Sequence, residues 1–284
     1  MTERFAADWL AQREPFDHAA RSEALARRFA NRLSARPHLV DLAGGTASMF
    51  RFLAPIIGRG QDWTLIDADA ALLDDASGRT AAWARRRGFA ATAHGDELLL
   101  STPRGLWRLR TERRDLMAPA SKVALQAADA LVCTALLDLV SRTWLSRLIA
   151  ERRVPFLASL TVDGRDVWRP AHRYDALVRT AFCRDMRRDK GFGRALGIDA
   201  LAALAGRITA SALSDWRIPR SALAMQHALI DGTADAARRA RPAHAAAITV
   251  WQEARLRQAM RGRLAITIGH RDILIMPQGL PPGG

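Results

Sequence analysis

The chain has 284 residues, 49% of them hydrophobic and 25% charged, which is typical of a globular protein that buries a sizeable core. The sequence contains no apolar run long enough to span a membrane, no secretory signal pattern and only two cysteines. We therefore expect a cytoplasmic protein without a disulfide framework or a membrane partner. The net charge of +14 raises the question of nucleic acid. Because the arginines are scattered and no aromatic residues alternate with them, we interpret the clusters as solvated helix faces and do not favour nucleic acid as a partner. An acidic or phosphorylated small molecule would also suit this charge.

The first part of the chain alternates between segments typical of helices and segments typical of strands. Apolar residues at helical spacing predict one or two helices over residues 3–34, with Pro15 as the boundary between them. The next segments are predicted in the order strand, helix, strand, helix, over residues 38–42, 47–57, 63–67 and 70–87. The last of these helices is expected to stop at Gly88.

The middle of the chain continues this alternation. A turn signal at residues 101–105 predicts a hairpin that delivers the third strand of the main sheet, which ends near Asp115. A short helix, a buried strand, a helix and a fifth strand are then predicted over residues 121–128, 130–134, 144–152 and 155–162.

Residues 163–196 interrupt the alternation, since they are polar, arginine-rich and contain three glycines. We interpret them as an irregular lid inserted after the fifth strand. The segments after the lid are a helix over 198–206, a strand over 208–218, two helices over 221–260 and a β-rich segment over 263–276. The two helices are expected to be interrupted near Arg241, and Gly269 is expected to be a kink or a hairpin point in the β-rich segment.

The complete pattern predicts the α/β class, with a Rossmann-like, doubly wound and mostly parallel seven-stranded sheet. A helical cover at the N-terminus (1–35) precedes the main domain (36–277), and residues 278–284 form a loose tail. In a sheet of this kind, ligand sites lie at the carboxyl ends of the strands.

The loop after the first strand carries the most informative motif. It reads Asp-Leu-Ala-Gly-Gly-Thr-Ala over residues 41–47 and lacks the three spaced glycines of a dinucleotide-binding loop. Asp41 would repel a pyrophosphate and favour a ligand that carries an ammonium or a sulfonium group.

This loop resembles the first motif of the class I S-adenosylmethionine-dependent methyltransferases, which has the form Asp-Leu-Gly-x-Gly-Thr-Gly. Ala43 and Ala47 stand where the family has glycine. Three more segments resemble family motifs and follow in the right order, and the resemblance covers about residues 36–162. It implies S-adenosyl-L-methionine as the cofactor and methyl transfer to an acceptor by direct in-line displacement.

The resemblance also implies roles for residues at the ends of the first four strands. The amino acid part of the cofactor is expected to face Asp41 and the backbone of Ala43, Gly44, Gly45 and Thr46. Asp67 is expected to bind the ribose hydroxyls, and the residues expected near the adenine are Ala68, Asp69, Arg114, Asp115 and Leu116. The end of the fourth strand, with Thr134 and Ala135, is expected to border the reactive methyl group.

Arg21 has two interpretations. It lies on the predicted N-terminal helix, where it either meets the carboxylate of the cofactor or joins Arg13 and Asp17 in a surface ladder of ion pairs at spacing four.

The candidate catalytic residues come from the loops beyond the fourth and fifth strands. Asp138 either orients an acceptor or caps the next helix. His172 and Tyr174 either accept a proton from the acceptor or anchor the lid. The segment 270–272 is interpreted as an exposed turn, although the terminal β element that contains it can also border the acceptor pocket. No cysteine or histidine spacing predicts a metal site.

Three functions remain open from the sequence. A small-molecule methyltransferase is favoured, because no binding domain is appended to the predicted fold. An RNA methyltransferase is the alternative that the charge supports, although the Asn/Asp-Pro-Pro-Tyr/Phe signature of base-amine methylation is missing after the fourth strand. A non-catalytic S-adenosylmethionine-binding protein of the same fold is the third.

Overall fold

The computed structural model describes residues 7–118 and 127–277. Most of the helix predicted over 121–128 and the tail over 278–284 lie outside the described residues. The helices are α1 (Ala7–Ala20), α2 (Glu23–Ala30), α3 (Ser48–Ile57), α4 (Ala70–Arg86), α5 (Arg142–Glu151), α6 (Asp175–Met186), α7 (Ala200–Ala203), α8 (Leu223–Ala240) and α9 (Ala245–Met260). The strands are β1 (His38–Leu42), β2 (Gln61–Asp67), β3 (Ala90–His94), β4 (Glu97–Thr102), β5 (Gly105–Arg113), β6 (Ala130–Thr134), β7 (Phe156–Arg169), β8 (Ala210–Leu213), β9 (Trp216–Ile218) and β10 (Ala265–Ile275).

These strands form one mixed sheet in the order β3-β4-β5-β2-β1-β6-β7-β10-β8, with β9 also paired to β10. The five strands from β5 to β7 are parallel, whereas β10 is antiparallel to β7, β8 and β9. The chain starts in the middle of the sheet and winds outwards in both directions, which is the doubly wound, Rossmann-like arrangement. The predicted α/β class is therefore correct.

The predicted number of seven strands is wrong, because the sheet in the described residues has ten. The hairpin of β3 and β4 extends one edge, and the strand predicted over 208–218 is divided into β8 and β9. The division coincides with a change of register in β10 between Ile268 and His270. At Gly269 a side chain has no room, since an added Cβ would lie 2.4 Å from Asp163 Oδ1. Gly269 therefore marks a kink within one strand and not a hairpin.

The predicted irregular lid is also corrected. β7 continues to Arg169 because it pairs with β10 as far as Ala265, and the helix α6 follows it. α6 buries Val178 and Ala181 against α8, α9 and the outer part of the β7–β10 ribbon. We call the unit of α6, α8, α9 and β9 the cap. Apolar contacts within the cap stabilise a regular structure in residues 163–196, whose polar and glycine-containing sequence had predicted an irregular segment.

The N-terminal residues form two helices, but Pro15 is not the boundary between them. Pro15 lies inside α1, and the chain turns at Arg21 and Ser22 instead. A proline costs a helix one backbone hydrogen bond. Contacts on both sides of Pro15 hold α1 together, since Trp9 packs edge-on against Trp216 and the buried Asp17 accepts a hydrogen bond from the same indole at 3.0 Å.

Two apolar layers cover the faces of the parallel sheet, and a third fills the cap. The first layer packs α2, α3 and α4 on one face, and the second packs α5 and the segment around Leu137 on the other. Within the described part of the chain, no helix is both long enough and apolar enough to cross a membrane.

Candidate functional site

The turn between β1 and α3 has a tightly constrained backbone. Ala43, Gly45 and Ala47 have φ angles of 52°, 54° and 66°, in the left-handed region that alanine rarely adopts. The N–H of Gly44 donates to the carbonyl of Ile66 at 3.1 Å. A Cβ on Gly44 would lie 2.0 Å from Leu65 Cδ1 and 2.9 Å from Asp41 Cγ. Strained alanines of this kind persist where the surrounding structure holds them, and they concentrate at functional sites.

Asp67 stands at the end of β2 and is fastened to this turn. Its two carboxylate oxygens accept hydrogen bonds from the N–H of Gly45 at 2.9 Å and the N–H of Asp69 at 3.0 Å. Burial raises its pKa, and these backbone donors partly offset the effect. A carboxylate has about four lone-pair sites, so the fixed Asp67 retains acceptor capacity for ligand hydroxyls.

Asp41 lies behind the turn and is fully buried. Among the described residues neither of its carboxylate oxygens has a hydrogen-bond partner. Burial, assisted by the nearby charge of Asp67, raises its pKa to about 8, and Arg21 opposes the shift. An unpartnered buried carboxyl group is costly, so its retention indicates a polar or cationic ligand.

Arg21 reaches the same place from the end of α1 and is 4% exposed. Its guanidinium donates to Thr134 Oγ1 at 3.1 Å and to the hydroxyl and carbonyl oxygens of Ser48 at 3.2 and 3.3 Å. Its Nε has no partner among the described residues. Burial lowers its pKa, and the carboxylates of Asp17, Asp272 and Asp41 oppose that shift. Arg21 is therefore not part of a surface ladder; only the Arg13–Asp17 pair forms, at 3.0 Å.

The charges of Asp41 and Arg21 act on each other, and each group retains buried polar atoms without a partner. One buried acceptor group and one buried donor group within electrostatic range of each other match a zwitterion, which carries an ammonium and a carboxylate. The site thus fits the amino acid part of the cofactor that the resemblance implied.

A partly buried ion pair that sequence reasoning missed holds α1 on the turn. Nε and Nη2 of Arg51 donate to the two carboxylate oxygens of Glu14, each at 2.6 Å. The third nitrogen, Nη1, donates to the carbonyl of Thr46 at 2.6 Å. Burial raises the pKa of Glu14, but the hydrogen bonds and charge of Arg51 outweigh it and the net shift is downward. Residues 14 and 51 come from different helices, and no spacing rule links them. On the same side, the side chain of Leu10 lies 3.2 Å from an added Cβ at Gly45.

The residues predicted to border the adenine lie along the same edge. The N–H of Arg114 donates to the carbonyl of Asp67 at 2.9 Å, which places the end of β5 beside the end of β2. Asp115 Oδ1 accepts from the N–H of Met117 at 2.8 Å, and the carbonyl of Leu116 accepts from the indole of Trp144 at 3.2 Å. Ala68 is exposed, and Asp69 caps α4 by accepting from the N–H of Ala71 at 3.0 Å.

The end of β6 joins this edge as well. Ala135 has a φ of 49°, and its N–H donates to the carbonyl of Ser159 at 3.0 Å. Asp138 follows and is 7% exposed, and its carbonyl accepts from the N–H of Gly197 at 2.9 Å. Asp138 and Asp41 both add to the raised pKa of the buried Cys133, whose main cause is burial. Asp138 and Asp41 therefore both lie within electrostatic range of Cys133, near the end of β6.

The structure does not bring His172 and Tyr174 to the turn. They follow β7 at its outer end, and their contacts are local: the N–H of His172 donates to Asp175 at 2.8 Å and the two rings lie 5.7 Å apart. The pKa of His172 is lowered by burial and by the charge of Arg255, a residue of α9. Their separation from the turn arises because β7 is longer than predicted, which carries residues after it into the cap.

The segment 270–272 is not an exposed turn, as predicted, but a buried part of β10. Asp272 is 2% exposed and accepts from the N–H of Ser22 at 2.8 Å and of Leu160 at 2.9 Å, which joins β7 to the chain after α1. His270 stacks on Trp216 at 4.9 Å, and burial together with the charge of Arg13 lowers its pKa to about 4. His270 and Asp272 are two residues apart in a strand, so both side chains lie on the same face of it. The alternation of apolar and polar residues in this segment was the sequence feature that could have indicated a strand here.

Comparisons with known proteins give structural similarity only. No family model matches the sequence, and no curated protein matches it. One similar structure is a SAM-dependent methyltransferase from Geobacter sulfurreducens in complex with S-adenosyl-L-homocysteine, with 16% identity, a TM-score of 0.44 and 90% of each chain covered. A putative type II methyltransferase from Anaeromyxobacter dehalogenans has 17% identity and a TM-score of 0.47 over 90% of this chain and 96% of that one.

A third similar structure is geranyl diphosphate C-methyltransferase from Streptomyces coelicolor, with 14% identity, a TM-score of 0.39 and coverage of 89% of this chain and 80% of that one. All three of these proteins are described as methyltransferases. The Rossmann-like fold itself follows from the strand order. Within residues 7–118 and 127–277, no group of three or more His, Cys, Asp or Glu side chains is arranged to hold a metal ion.

Proposed function

We propose that the protein is a methyltransferase that uses S-adenosyl-L-methionine and acts on a small, anionic acceptor. The observation that carries the proposal is the buried, unpartnered carboxyl group of Asp41 beside Arg21. This pair favours a ligand with a cationic sulfur or nitrogen, and an Asp41 behind a turn with two adjacent glycines disfavours pyrophosphates. The net charge of +14 supports an anionic acceptor.

The contacts described above support the roles that the resemblance implies for these residues. Asp41 and Arg21 would hold the amino acid part of the cofactor, Asp67 the ribose hydroxyls, and the segment 114–116 the adenine. When bound, the cofactor supplies a methyl group that its sulfonium already activates for direct displacement. The remaining task of the chain is to position the acceptor and exclude water. Asp138 is the candidate that orients the acceptor, because His172 and Tyr174 have their contacts in the cap.

Calorimetry of the purified protein tests the cofactor. Titrations with S-adenosylmethionine and S-adenosylhomocysteine should show binding, and neither NAD nor ATP should compete with them for the site at the turn. Firm binding of NAD or ATP without binding of the adenosyl sulfur compounds would refute the proposal. A turnover assay with candidate acceptors then separates an enzyme from a protein that only binds the cofactor.

Replacing Asp67 by alanine should weaken cofactor binding by about 1–3 kcal/mol, because charge-assisted hydrogen bonds to the ribose are lost. Calorimetry of Asp67→Ala against the parent protein measures the loss. Asp74→Ala is the matched control, since Asp74 is an exposed carboxylate on α4 and its removal should leave affinity unchanged. Equal affinity of folded Asp67→Ala and parent would contradict the placement of the ribose.

Cofactor affinity should rise with pH through the pKa of Asp41, which is about 8. A cationic ligand binds the ionised carboxylate, so protonation competes with binding below that pKa. Affinity should be about tenfold higher at pH 9 than at pH 7 if only the ionised form binds. The affinity of Asp41→Asn is measured at the same pH values, because the ligand's own ionisation affects parent and variant alike. An identical pH profile in parent and variant would exclude this role of Asp41.

The same raised pKa makes a prediction for the ligand-free protein. Ionising a group whose folded pKa lies above its unfolded value costs stability, so the contribution of Asp41 falls as pH rises from about 4 to about 8. Asp41→Asn should therefore raise Tm at pH 9 by about 2–4 °C for each kcal/mol recovered, while weakening cofactor binding.

An RNA methyltransferase remains the second candidate, and the net charge of +14 is the observation that favours it. Binding through phosphates would make RNA affinity fall steeply with salt. RNA affinity that does not change between 50 and 200 mM salt, or turnover only with small acceptors, would remove this candidate.

A further inference from the structure

The cap carries a second cleft that the proposed function does not use. It has a volume of about 800 Å³ and lies between the end of β7, the turn before α8 and the end of α9. Five of its eight lining residues are arginines: Arg169, Arg220, Arg257, Arg261 and Arg263. No lining residue carries a carboxylate and none is aromatic. The volume is in the range of small-ligand sites.

Buried polar side chains fix the backbone segments that present these arginines. The guanidinium of Arg255, which is fully buried, donates to the carbonyl of Pro170. The amide of Gln226, also fully buried, donates to the carbonyls of Pro219 at 2.8 Å and Leu264 at 3.1 Å. Each of these carbonyls neighbours a cleft arginine in sequence. The segments are therefore held in place before any ligand arrives.

Within the described residues, most of the charge in this cleft has no carboxylate partner. Of the five, only Arg257 has a carboxylate partner among residues 7–118 and 127–277, and that pair with Glu253 is exposed and 3.5 Å long. A neighbouring cleft along α6 differs, because its Arg179 and Arg187 pair with Asp166 at 2.9 Å and Asp199 at 2.8 Å. Like charges converging on one rigid concavity repel one another, and a bound anion relieves that repulsion.

We infer that this cleft binds a ligand with two or more adjacent phosphate groups. Guanidinium groups bind phosphate oxygens through paired N–H donors, and several of them accommodate neighbouring phosphates. The absence of aromatic lining residues places recognition on the phosphates and not on a stacked base. This site does not depend on the cofactor, so its test is independent of the methyltransferase proposal.

The test uses the full-length protein and tripolyphosphate as the probe in calorimetry. Tripolyphosphate should bind at least tenfold more tightly than citrate, which carries three carboxylates. The variant Arg261→Gln/Arg263→Gln should weaken tripolyphosphate binding at least tenfold. The control Arg85→Gln/Arg86→Gln removes the same charge from two exposed arginines on α4 and should change the affinity less than twofold. All four side chains are exposed, so both variants should fold.

A labelled 16-base-pair RNA duplex identifies the source of the phosphates. If tripolyphosphate displaces the duplex and the cleft variant weakens both, the phosphates come from a nucleic-acid backbone. If the cleft variant weakens the binding of tripolyphosphate but leaves the affinity for the duplex unchanged, the ligand is a free phosphorylated compound. Equal weakening by both double variants, equal affinity for citrate, or no binding of either phosphate probe would overturn the inference.

Discussion

Replacing Arg51 by methionine is expected to destabilise the protein by about 3–5 kcal/mol, since it leaves Glu14 without its buried partner. Arg51 is 3% exposed, and it also holds the carbonyl of Thr46 and the hydroxyl of Thr80, at 2.6 and 3.0 Å. The same variant should weaken cofactor binding, because α1 and the turn lose the bond that joins them. Urea unfolding measures the first effect and calorimetry the second.

Two variants make this prediction specific. Arg79→Met removes an arginine from the half-exposed pair with Asp75 and should cost no more than about 1 kcal/mol. Combining Arg51→Met with Glu14→Leu should recover part of the loss, because no unpaired carboxylate then remains in this partly buried position. A loss below about 1 kcal/mol for Arg51→Met, or no recovery in the double variant, would show that the pair does not hold α1.

Replacing Gly44 by alanine should remove detectable cofactor binding and cost about 1–3 kcal/mol of stability, which is typical of overpacking. The added Cβ would lie 2.0 Å from Leu65 Cδ1 and 2.9 Å from Asp41 Oδ2, so both the core and the buried carboxyl group must shift. Calorimetry with S-adenosylmethionine and urea unfolding measure the two effects.

Gly78 provides the matched control for this substitution. It lies in the interior of α4 and is exposed, and an added Cβ there meets no atom within 4 Å. Gly78→Ala should stabilise the protein by about 0.5–1 kcal/mol, because alanine loses less backbone entropy in a helix. It should leave cofactor affinity unchanged. If Gly44→Ala binds the cofactor as well as Gly78→Ala does, the turn is not the cofactor site.

The part of the candidate site that the sequence predicted lies at the ends of neighbouring parallel strands. The turn at 43–47 and the acid of Asp67 belong to one strand–turn–helix–strand unit of about thirty residues. Within such a unit the connections are short, so local pattern and turn chemistry place the residues. The hydrogen bond from the N–H of Gly45 to Asp67 joins the two ends of this unit.

Residues outside that unit could not be placed in the same way. His172 and Tyr174 were predicted near the acceptor because they follow the fifth strand, and the length of β7 moved them into the cap. Asp272 was predicted on an exposed turn, and two backbone donors from distant segments bury it. In both cases the outcome depended on which strands pair and how far the pairing runs.

The sequence by itself determined the α/β class, the central strands β1, β2 and β6, and the turn chemistry of residues 41–47, because hydrophobic period and glycine placement are local properties. The tertiary structure alone decided that Arg21 lies within electrostatic range of Asp41, that Glu14 pairs with Arg51 and that five arginines from the end of β7, the turn before α8 and the end of α9 share one cleft. These residues are far apart in the chain, and only sheet pairing and apolar packing bring them within reach of one another.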